Sequence, residues 1–375
     1  MNIGIVCYPT FGGSGVVATE LGKALAEKGH RIHFITYNQP VRLNVFSGNL
    51  FYHEVSVSDY PLFDYPPYEL ALSNKIVEVA KYEKLDLLHV HYAIPHASAA
   101  YMAKQMLAVD NISLPFITTL HGTDITLVGK DPSFETAISF AINQSDAVTS
   151  VSESLKQDTY RYFRNVRRDI EVIPNFINLD SYNFANAKEH RKLYAGDDQK
   201  ILVHVSNFRK VKRVEDVLRM FDIVRKKISS RLILVGDGPE RSNIDRLCRE
   251  LDTCNEILSL GKIVEPNSIL AVGDLFVLPS ETESFGLAAL EAMAAGVPVI
   301  STNTGGIPEI NKQGYSGMLS NVGDVEDMAK NAISILGNEE TLATYKRNAR
   351  KQAENYDIAK ILPMYEALYN KVVKR

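Results

Sequence analysis

The stretch Leu275-Phe-Val-Leu-Pro-Ser-Glu-Thr-Glu-Ser-Phe-Gly-Leu-Ala-Ala-Leu-Glu291 decides the fold of this 375-residue chain. Its first four residues, Leu275 to Leu278, are typical of a buried strand, and the run from Leu287 is typical of a helix. A turn that contains Gly286 joins the two. Backbone N–H groups at the start of a helix have no partner within it and point outward, so they can bind phosphate. The stretch therefore predicts a strand, a turn and a helix that begins at an anion site.

Two carboxylates flank the first turns of this helix, Glu283 before it and Glu291 about two turns in. They suit a ligand with a phosphate in its middle and hydroxyls on both sides, such as a nucleotide sugar. A hydrolase with paired carboxylates is an alternative, but eight helical residues rise roughly 12 Å. Glycosidase carboxyls lie about 5 to 10 Å apart. Ordinary surface glutamates on an amphipathic helix are the remaining alternative.

Length and composition indicate a two-domain globular protein of ordinary polarity. The chain is longer than one typical core supports. Its 45% hydrophobic and 23% charged residues are usual for a globular protein. A net charge of −4 gives no electrostatic case for nucleic acid or membrane as partners. Without a basic leader or a run of 18 apolar residues, we expect a cytoplasmic protein. Nothing in the sequence decides between a monomer and a homo-oligomer.

Both halves of the chain alternate short apolar runs with helical patterns, which predicts parallel, doubly wound sheets. The segment Glu171-Val-Ile-Pro-Asn-Phe-Ile-Asn178 interrupts this alternation. We therefore predict an α/β fold with two facing Rossmann-like domains, residues 1–172 and 173–356, and a final helix, 357–375, that packs back on the first. Ligands of such sheets bind beyond the strand C-termini, here in an interdomain cleft. The predicted strands are 3–8, 31–36, 85–91, 115–120, 147–151, 201–206, 231–235, 257–260, 275–278 and 297–302.

Two strand-end loops of the first half carry candidate residues. Gly13-Ser-Gly15 lies before a helix predicted from Val16 and can bring backbone N–H groups close to an anion. It does not match the dinucleotide pattern G-x-G-x-x-G, and a tight turn that needs small residues is the alternative. His121 follows the fourth strand, where it can donate or accept a hydrogen bond. A structural histidine is the alternative there.

A group of three histidines, His89, His91 and His96, raises the question of a metal. No carboxylate cluster lies near them in the sequence, so we predict no metal site and no cofactor. Tyr92, at the end of the same strand, is a plausible ligand contact. Of the three cysteines, Cys7 lies in an apolar strand and is predicted to be a buried thiol.

The second half has a cationic loop after its first strand, Ser206-Asn-Phe-Arg-Lys-Val-Lys-Arg213. Four cations within five residues repel one another unless an anion is present. The loop therefore indicates an anionic ligand, with a solvated surface run as the alternative. Two further glycine turns follow later strands, at Gly236-Asp-Gly-Pro239 and at Gly305-Gly306.

Together these segments resemble the retaining glycosyltransferases of family 4, which have the GT-B architecture. The resemblance covers nearly the whole chain. It is strongest to the branch that moves N-acetylglucosamine from UDP-N-acetylglucosamine to the hydroxyl of L-malate in bacillithiol biosynthesis. The segments that carry this closer similarity are 7–15, 18–22, 33–36, 89–96, 120–126 and 206–213. The resemblance implies that donor, that acceptor and retention of the α configuration.

The resemblance also implies roles for individual residues. Most of the family has an arginine where this chain has Asn207, and Arg209 is the candidate to replace it. Glu291 is expected to hold the ribose hydroxyls. The expected catalytic residues are His121, Lys212, Arg209 and Glu283. The expected donor-binding residues are Gly13, Ser14, Gly15, Ser206, Asn207, Gly238, Val264, Phe285, Gly286, Leu287 and Glu291. The expected acceptor-binding residues are Ser14, Tyr92, Thr119 and Asn175, with Arg42 or Lys75 as candidate cations for the acceptor carboxylates.

Three alternatives stay open at this point. The chain can be a family 4 glycosyltransferase with another small acceptor, or a UDP-sugar 2-epimerase on the same architecture. It can also be a binding module for nucleotide sugars without catalytic activity. The residues alone do not reveal the donor base, the sugar or the acceptor.

Overall fold

The structure, a computed structural model, describes residues 1–10, 12–43, 47–57, 65–127, 131–184 and 187–374. Contacts divide the chain into two compact units. The first consists of Met1–Asn175 together with Ile358–Arg375, and the second is Phe176–Asp357. Each unit has its own parallel sheet and its own core.

The strands of the described residues alternate with helices in chain order. The strands are β1 (Asn2–Val6), β2 (Arg31–Thr36), β3 (Leu50–Glu54), β4 (Leu87–His91), β5 (Phe116–Leu120), β6 (Ala147–Ser150), β7 (Ile170–Val172), β8 (Lys200–Val205), β9 (Ser230–Val235), β10 (Ile257–Ser259), β11 (Leu275–Leu278), β12 (Val299–Thr302) and β13 (Gly317–Ser320). The helices are α1 (Gly13–Glu27), α2 (Tyr68–Glu83), α3 (Ser98–Val109), α4 (Pro132–Gln144), α5 (Glu153–Tyr162), α6 (Ala187–Arg191), α7 (Val214–Arg225), α8 (Arg241–Glu250), α9 (Asn267–Ala271), α10 (Leu287–Ala294), α11 (Ile307–Ile310), α12 (Val325–Leu336), α13 (Glu339–Ala353) and α14 (Ile358–Val373).

Both sheets have the doubly wound topology that the sequence predicts. The first has the order β3-β2-β1-β4-β5-β6-β7, and the second has the order β10-β9-β8-β11-β12-β13. The strand order reverses between β1 and β4 in the first sheet and between β8 and β11 in the second. Such switch points leave a crevice at the carboxyl ends of the strands, where ligands of these folds bind. The loops after these four strands are therefore the places to look for a site.

The sequence prediction located the central strands to within about two residues and missed three others. The missed strands are β3, β7 and β13, and each forms one edge of its sheet. An edge strand has a neighbour on one side only, so it carries fewer fully buried positions; none of the five residues of β3 is fully buried. Without a continuous apolar run, these strands have no strong signal in the sequence.

The last helix, α14, completes the core of the first unit, where it packs against α1. Its Tyr365 and Tyr369 are fully buried, and the Tyr369 hydroxyl lies 2.7 Å from Nδ1 of His89 on β4. In the second unit, the buried faces of α7 and α12 pack together over the sheet. A search of the described helices finds none with the length and apolar character that a membrane crossing requires.

The cysteines differ in state. Cys7 is a buried free thiol, as predicted, and burial raises its pKa to about 12. Cys248 and Cys254, which flank the end of α8, form a disulfide. The sequence analysis did not predict this bond.

Candidate active site

The loop after β1 leads directly into α1, which begins at Gly13 rather than at the predicted Val16. A Cβ on Gly15 would lie 2.5 Å from the carbonyl oxygen of Tyr8, so only glycine fits there. The hydroxyls of Ser14 and Tyr92 are 2.7 Å apart. The structure thus brings together two of the predicted ligand residues, one from each side of the switch point.

Tyr92 stands at the end of β4 in an uncommon conformation, with a φ of 93°. A bulky residue at positive φ has a strained backbone that the surrounding structure must keep in place, and such residues are often found at functional sites. Its ring packs edge-on against Tyr8, with 5.3 Å between centroids, and lies 5.4 Å from the ring of His121. Burial raises the pKa of Tyr92 to about 12, so the hydroxyl keeps its proton at neutral pH.

Four histidines surround this tyrosine and none carries a charge at neutral pH. Burial lowers the pKa of His89 and of His121 to about 3 and that of His96 to about 4, and it holds the pKa of His91 well below its ordinary value. The rings of His89 and His91 stack 4.5 Å apart. The first unit therefore presents neutral hydrogen-bonding groups at its switch point.

The direct bond between His91 Nδ1 and His121 Nε2, 2.7 Å long, fixes the protonation of both rings. The other ring nitrogen of His91, Nε2, is buried without a partner. A buried N–H without an acceptor is less tolerable than a buried lone pair, so His91 Nδ1–H donates to His121. The proton of the neutral His121 ring then resides on Nδ1, where it is a hydrogen-bond donor.

Asp124 lies three residues after His121 and is 2% exposed. Its Oδ2 accepts a hydrogen bond of 2.7 Å from the Ala93 N–H, while Oδ1 is buried without a partner. Burial raises the pKa of this carboxyl to about 6. No role for Asp124 was predicted from the sequence, because one acid near a strand-end histidine is a weak signal.

The other predicted acceptor residues have different surroundings. Thr119 is buried, and its hydroxyl lies 2.7 Å from His89 Nε2 and 2.7 Å from the Thr149 hydroxyl. Asn175 is 5% exposed, with its Oδ1 buried and unpaired. Lys75 forms an ion pair of 2.8 Å with Glu78 on α2.

Strand β8 of the second unit carries, one residue before its end, a buried histidine whose role was not predicted from the sequence. His204 Nδ1 donates to the Val277 carbonyl at 2.8 Å, and burial lowers the pKa of this ring to about 4. Its Nε2 therefore accepts a hydrogen bond of 2.7 Å from the Ser206 hydroxyl. The bond to Val277 joins the end of β8 to β11, and the bond to Ser206 fixes the start of the cationic loop.

A pair of opposite charges, Lys212 and Glu283, is the central feature of the second unit. Lys212 Nζ lies 2.5 Å from Glu283 Oε1, and the Ser280 hydroxyl donates to the same oxygen at 3.0 Å. Both charged side chains are partly buried. The switch point brings the two residues together, although 71 residues separate them in the sequence.

Neighbouring backbones hold both loops of this pair in place. A Cβ on Gly236 would lie 1.8 Å from the Ser206 carbonyl oxygen, so only glycine fits at this position of the turn. The Phe208 N–H donates to the Asp237 carbonyl at 3.0 Å. On the other side, the Gly306 N–H donates to the Glu283 carbonyl at 2.9 Å. The glycine turns identified in the sequence thus hold the two charged loops in place through backbone contacts.

Helix α10 begins after Gly286, which has a φ of 94°. Glu291 is 7% exposed, and the buried Phe285 ring packs edge-on against Tyr356 at 5.7 Å. Because the helix starts only at Leu287, helical rise covers just half of the spacing from Glu283 to Glu291. Helical rise therefore accounts for about 6 Å of the path between the two carboxylates, not for the roughly 12 Å expected from a continuous helix.

The remaining predicted donor residues are more open. Asn207 and Arg209 are exposed, and Val264 is 49% exposed. Gly238 lies in the turn behind Phe208.

Comparison with known proteins agrees with this architecture. The family model for Glycosyltransferase Family 4 matches residues 11–181, and that for Glycosyl transferases group 1 matches residues 185–352. The N-acetyl-alpha-D-glucosaminyl L-malate synthase of Bacillus anthracis is 48% identical over 376 residues, which cover 100% of this chain and 98% of that protein. The D-inositol 3-phosphate glycosyltransferase of Thermobispora bispora is 26% identical, over 97% of this chain and 91% of that protein.

Solved structures share the fold at lower identity. A sucrose-phosphate synthase from Thermosynechococcus elongatus superposes with a TM-score of 0.79 at 21% identity, over 99% of both chains. Anabaena HepE in complex with UDP-glucose gives a TM-score of 0.80 at 19% identity, over 99% of this chain and 100% of that one. The GT-B fold class is thereby confirmed. From the full-length identity to a named synthase and the two matching models, this chain belongs to the family 4 glycosyltransferases.

Proposed function

We propose that this enzyme transfers N-acetylglucosamine from UDP-N-acetylglucosamine to the hydroxyl of L-malate, with retention of the α configuration. The observation that carries the proposal is the 48% identity, over the full length of both chains, to an enzyme named for that product. We further propose that the second unit binds the nucleotide donor, that the first unit binds the acceptor, and that the enzyme works in the cytoplasm.

Lys212 is the proposed counter-charge of the donor diphosphate. Negative charge grows on the β-phosphate as its bond to the sugar breaks, and a fixed cation stabilises that charge. Glu283 Oε1 accepts a hydrogen bond from Lys212 and positions its side chain. The Ser280 hydroxyl donates to the same oxygen and so holds Glu283 in place. Arg209, exposed at the start of the same turn, is the proposed second cation. Backbone N–H groups at the start of α10 add donors.

The first unit offers the neutral groups that a sugar and an acceptor hydroxyl require. The protonated Nδ1 of His121 is the proposed donor to a sugar hydroxyl. Ser14 and Tyr92, whose hydroxyls bond to each other at 2.7 Å, are proposed acceptor contacts. Because burial lowers the pKa of His89, His96 and His121 to about 3 or 4, these rings are weak bases and poor partners for the proton of the acceptor hydroxyl. The acceptor proton therefore passes to the leaving β-phosphate oxygen as the new glycosidic bond forms and UDP departs.

A coupled assay tests this proposal. Protein is mixed with UDP-N-acetylglucosamine, with and without L-malate, and UDP release is measured while NMR follows the anomeric configuration of the product. We expect UDP release that depends on L-malate and an α-linked product. D-malate and succinate, which change or remove the acceptor hydroxyl, are the controls.

Each alternative gives a different outcome in the same assay. Formation of the C2 epimer without UDP release indicates a UDP-sugar 2-epimerase. UDP release with another small hydroxy acid but not with L-malate indicates a different acceptor. Saturable UDP-sugar binding with no turnover under any of these conditions indicates a binding module.

A further inference from the structure

Three side chains with metal-ligating atoms meet on the first unit, away from the strand-end loops. His33 lies in the middle of β2, His53 is on the neighbouring edge strand β3, and Glu83 is the last residue of α2. One potential ligand atom from each lies within 4.8 Å of the other two. The sequence analysis considered only His89, His91 and His96 as metal ligands, because spacing along the chain does not reveal this cluster.

The spacing of the two imidazoles suits a shared cation. His33 Nδ1 and His53 Nε2 are 3.0 Å apart. Around a tetrahedral zinc with Zn–N bonds of about 2.0 to 2.1 Å, neighbouring ligand atoms lie roughly 3.3 Å apart. A shift of a few tenths of an ångström therefore brings the two nitrogens to coordination distance, and the proton that they share leaves as the metal binds. Two imidazoles and one carboxylate are a ligand set that zinc and similar divalent metals take.

The structure already holds these ligands in place. The fully buried ring of His33 stacks on Phe51, with centroids 4.8 Å apart and an angle of 11° between the planes. His53 and Glu83 are partly buried. Water can therefore reach the site and supply a fourth ligand.

The carboxylate also has a competing cation nearby. Arg31 Nη2 lies 3.2 Å from Glu83 Oε2. The second carboxylate oxygen can serve a metal while this ion pair persists, because a carboxylate accepts bonds at both oxygens. Arg31 repels a bound dication, so it is expected to weaken metal binding rather than to support it.

We propose that His33, His53 and Glu83 bind a divalent transition metal, with Zn²⁺ as the probe of choice, and that the metal ties edge strand β3 to β2 and α2. An edge strand has a partner on one side only, so a cross-link from β3 to the end of α2 stabilises the sheet where it is weakest. The proposal does not depend on the transferase reaction.

The test uses the full-length protein without a histidine tag, stripped by chelator and titrated with Zn²⁺ alone. We expect one equivalent of zinc by mass spectrometry and a melting temperature that rises with zinc concentration, as linkage requires. Cobalt(II) in place of zinc should give the visible bands of a four-coordinate site. Variants H53A and E83Q should each weaken zinc affinity by about 100-fold or more, since loss of even an outer contact costs about 10- to 100-fold.

Matched controls separate coordination from side effects. E83Q and R31A both break the Arg31–Glu83 ion pair, but only E83Q removes a ligand, so R31A should bind zinc at least as tightly as the wild type. H190A removes an exposed histidine of the second unit and should change nothing. Variant H121N tests whether the metal binds instead at His91 and His121, the other hydrogen-bonded histidine pair.

Two results overturn the proposal. The first is a wild-type protein that binds no stoichiometric zinc and shows no thermal shift. The second is zinc binding that survives in H53A and E83Q, or that H121N abolishes. H53A replaces a half-buried ring, so its folding can be checked by circular dichroism before titration.

Discussion

The two switch points of this enzyme have the same topology, but one carries mainly neutral side chains and the other carries charged ones. In the first unit, the strand ends carry histidines and tyrosines that burial keeps neutral. In the second, the strand ends carry a cationic loop and a lysine–glutamate pair of 2.5 Å. One fold therefore supports either kind of site, and the loop residues decide which. Fixed charge suits a diphosphate, whereas neutral donors suit hydroxyls.

The largest effect on turnover is expected from loss of charge in the second unit. Lys212→Ala should lower kcat by on the order of 100-fold or more, because it removes a cation placed where charge develops. UDP release under saturating substrates is the measurement. Lys210→Ala, an exposed lysine on the same turn, is the control and should keep near wild-type activity. If the two variants were equally active, Lys212 would have no part in catalysis.

Asp124→Asn tests the cost of burying the Asp124 carboxylate, measured through the pH dependence of stability. The folded-state pKa of Asp124 is raised from 3.8 to about 6, so its contribution to stability is fully present below pH 3.8 and is lost as the pH rises through 6. Two pKa units correspond to about 3 kcal/mol. The asparagine avoids a buried charge and keeps an acceptor for the Ala93 N–H, but it places an amide NH2 where Oδ1 is buried without a partner, a cost that is the same at every pH. We expect the stability of the variant relative to the wild type to rise by up to about 3 kcal/mol between pH 4 and pH 7.

Asp131→Asn is the control for this pH dependence. Asp131 caps α4, and its bond to Ser133 lowers its pKa, so its stabilisation is present at neutral pH and is lost in acid. The same substitution there should have the opposite sign. Urea unfolding of both variants from pH 4 to pH 8 measures the two trends, and parallel curves would contradict the assignment.

His121→Asn is expected to lower kcat by about tenfold to 100-fold, because it removes the Nδ1–H donor that we place at the sugar. UDP lacks the sugar, so UDP affinity by calorimetry should change by less than about twofold. A loss of UDP affinity equal to the loss of rate would show that the residue acts on the nucleotide or on folding instead.

The smallest expected effect concerns the support of Lys212. Glu283→Gln should lower kcat by about tenfold, since the lysine loses its charged partner but keeps its own charge. If Glu283 acts only through Lys212, the double variant with Lys212→Ala should be no slower than Lys212→Ala alone. A double variant that is slower by the product of both effects would give Glu283 a role of its own.

Central strands and family motifs could be predicted from the sequence because their signals are local. Leu275 to Leu278 reads as a buried strand from four residues, and the helix predicted from Leu287 begins at that residue. The edge strands β3 and β13 could not be predicted in this way, since half-buried strands lack a continuous apolar run.

Contacts between distant segments account for most of what the sequence did not reveal. The residues of the Lys212–Glu283 pair were both predicted, but as separate contributors. The bond between His91 and His121 joins two strands 30 residues apart, and it alone fixes the tautomer of His121. His204 looked like part of an apolar strand, and only its bond to Ser206 shows how it shapes the cationic loop.

The contact between Tyr369 and His89, 280 residues apart, bears on how the enzyme is made. The first unit needs Ile358–Arg375 to close its core, whereas every residue of the second unit leaves the ribosome before that segment. We therefore expect the second unit to mature first during synthesis, while the amino-terminal part of the first unit waits for that segment. Pulse proteolysis of stalled nascent chains would reveal this order.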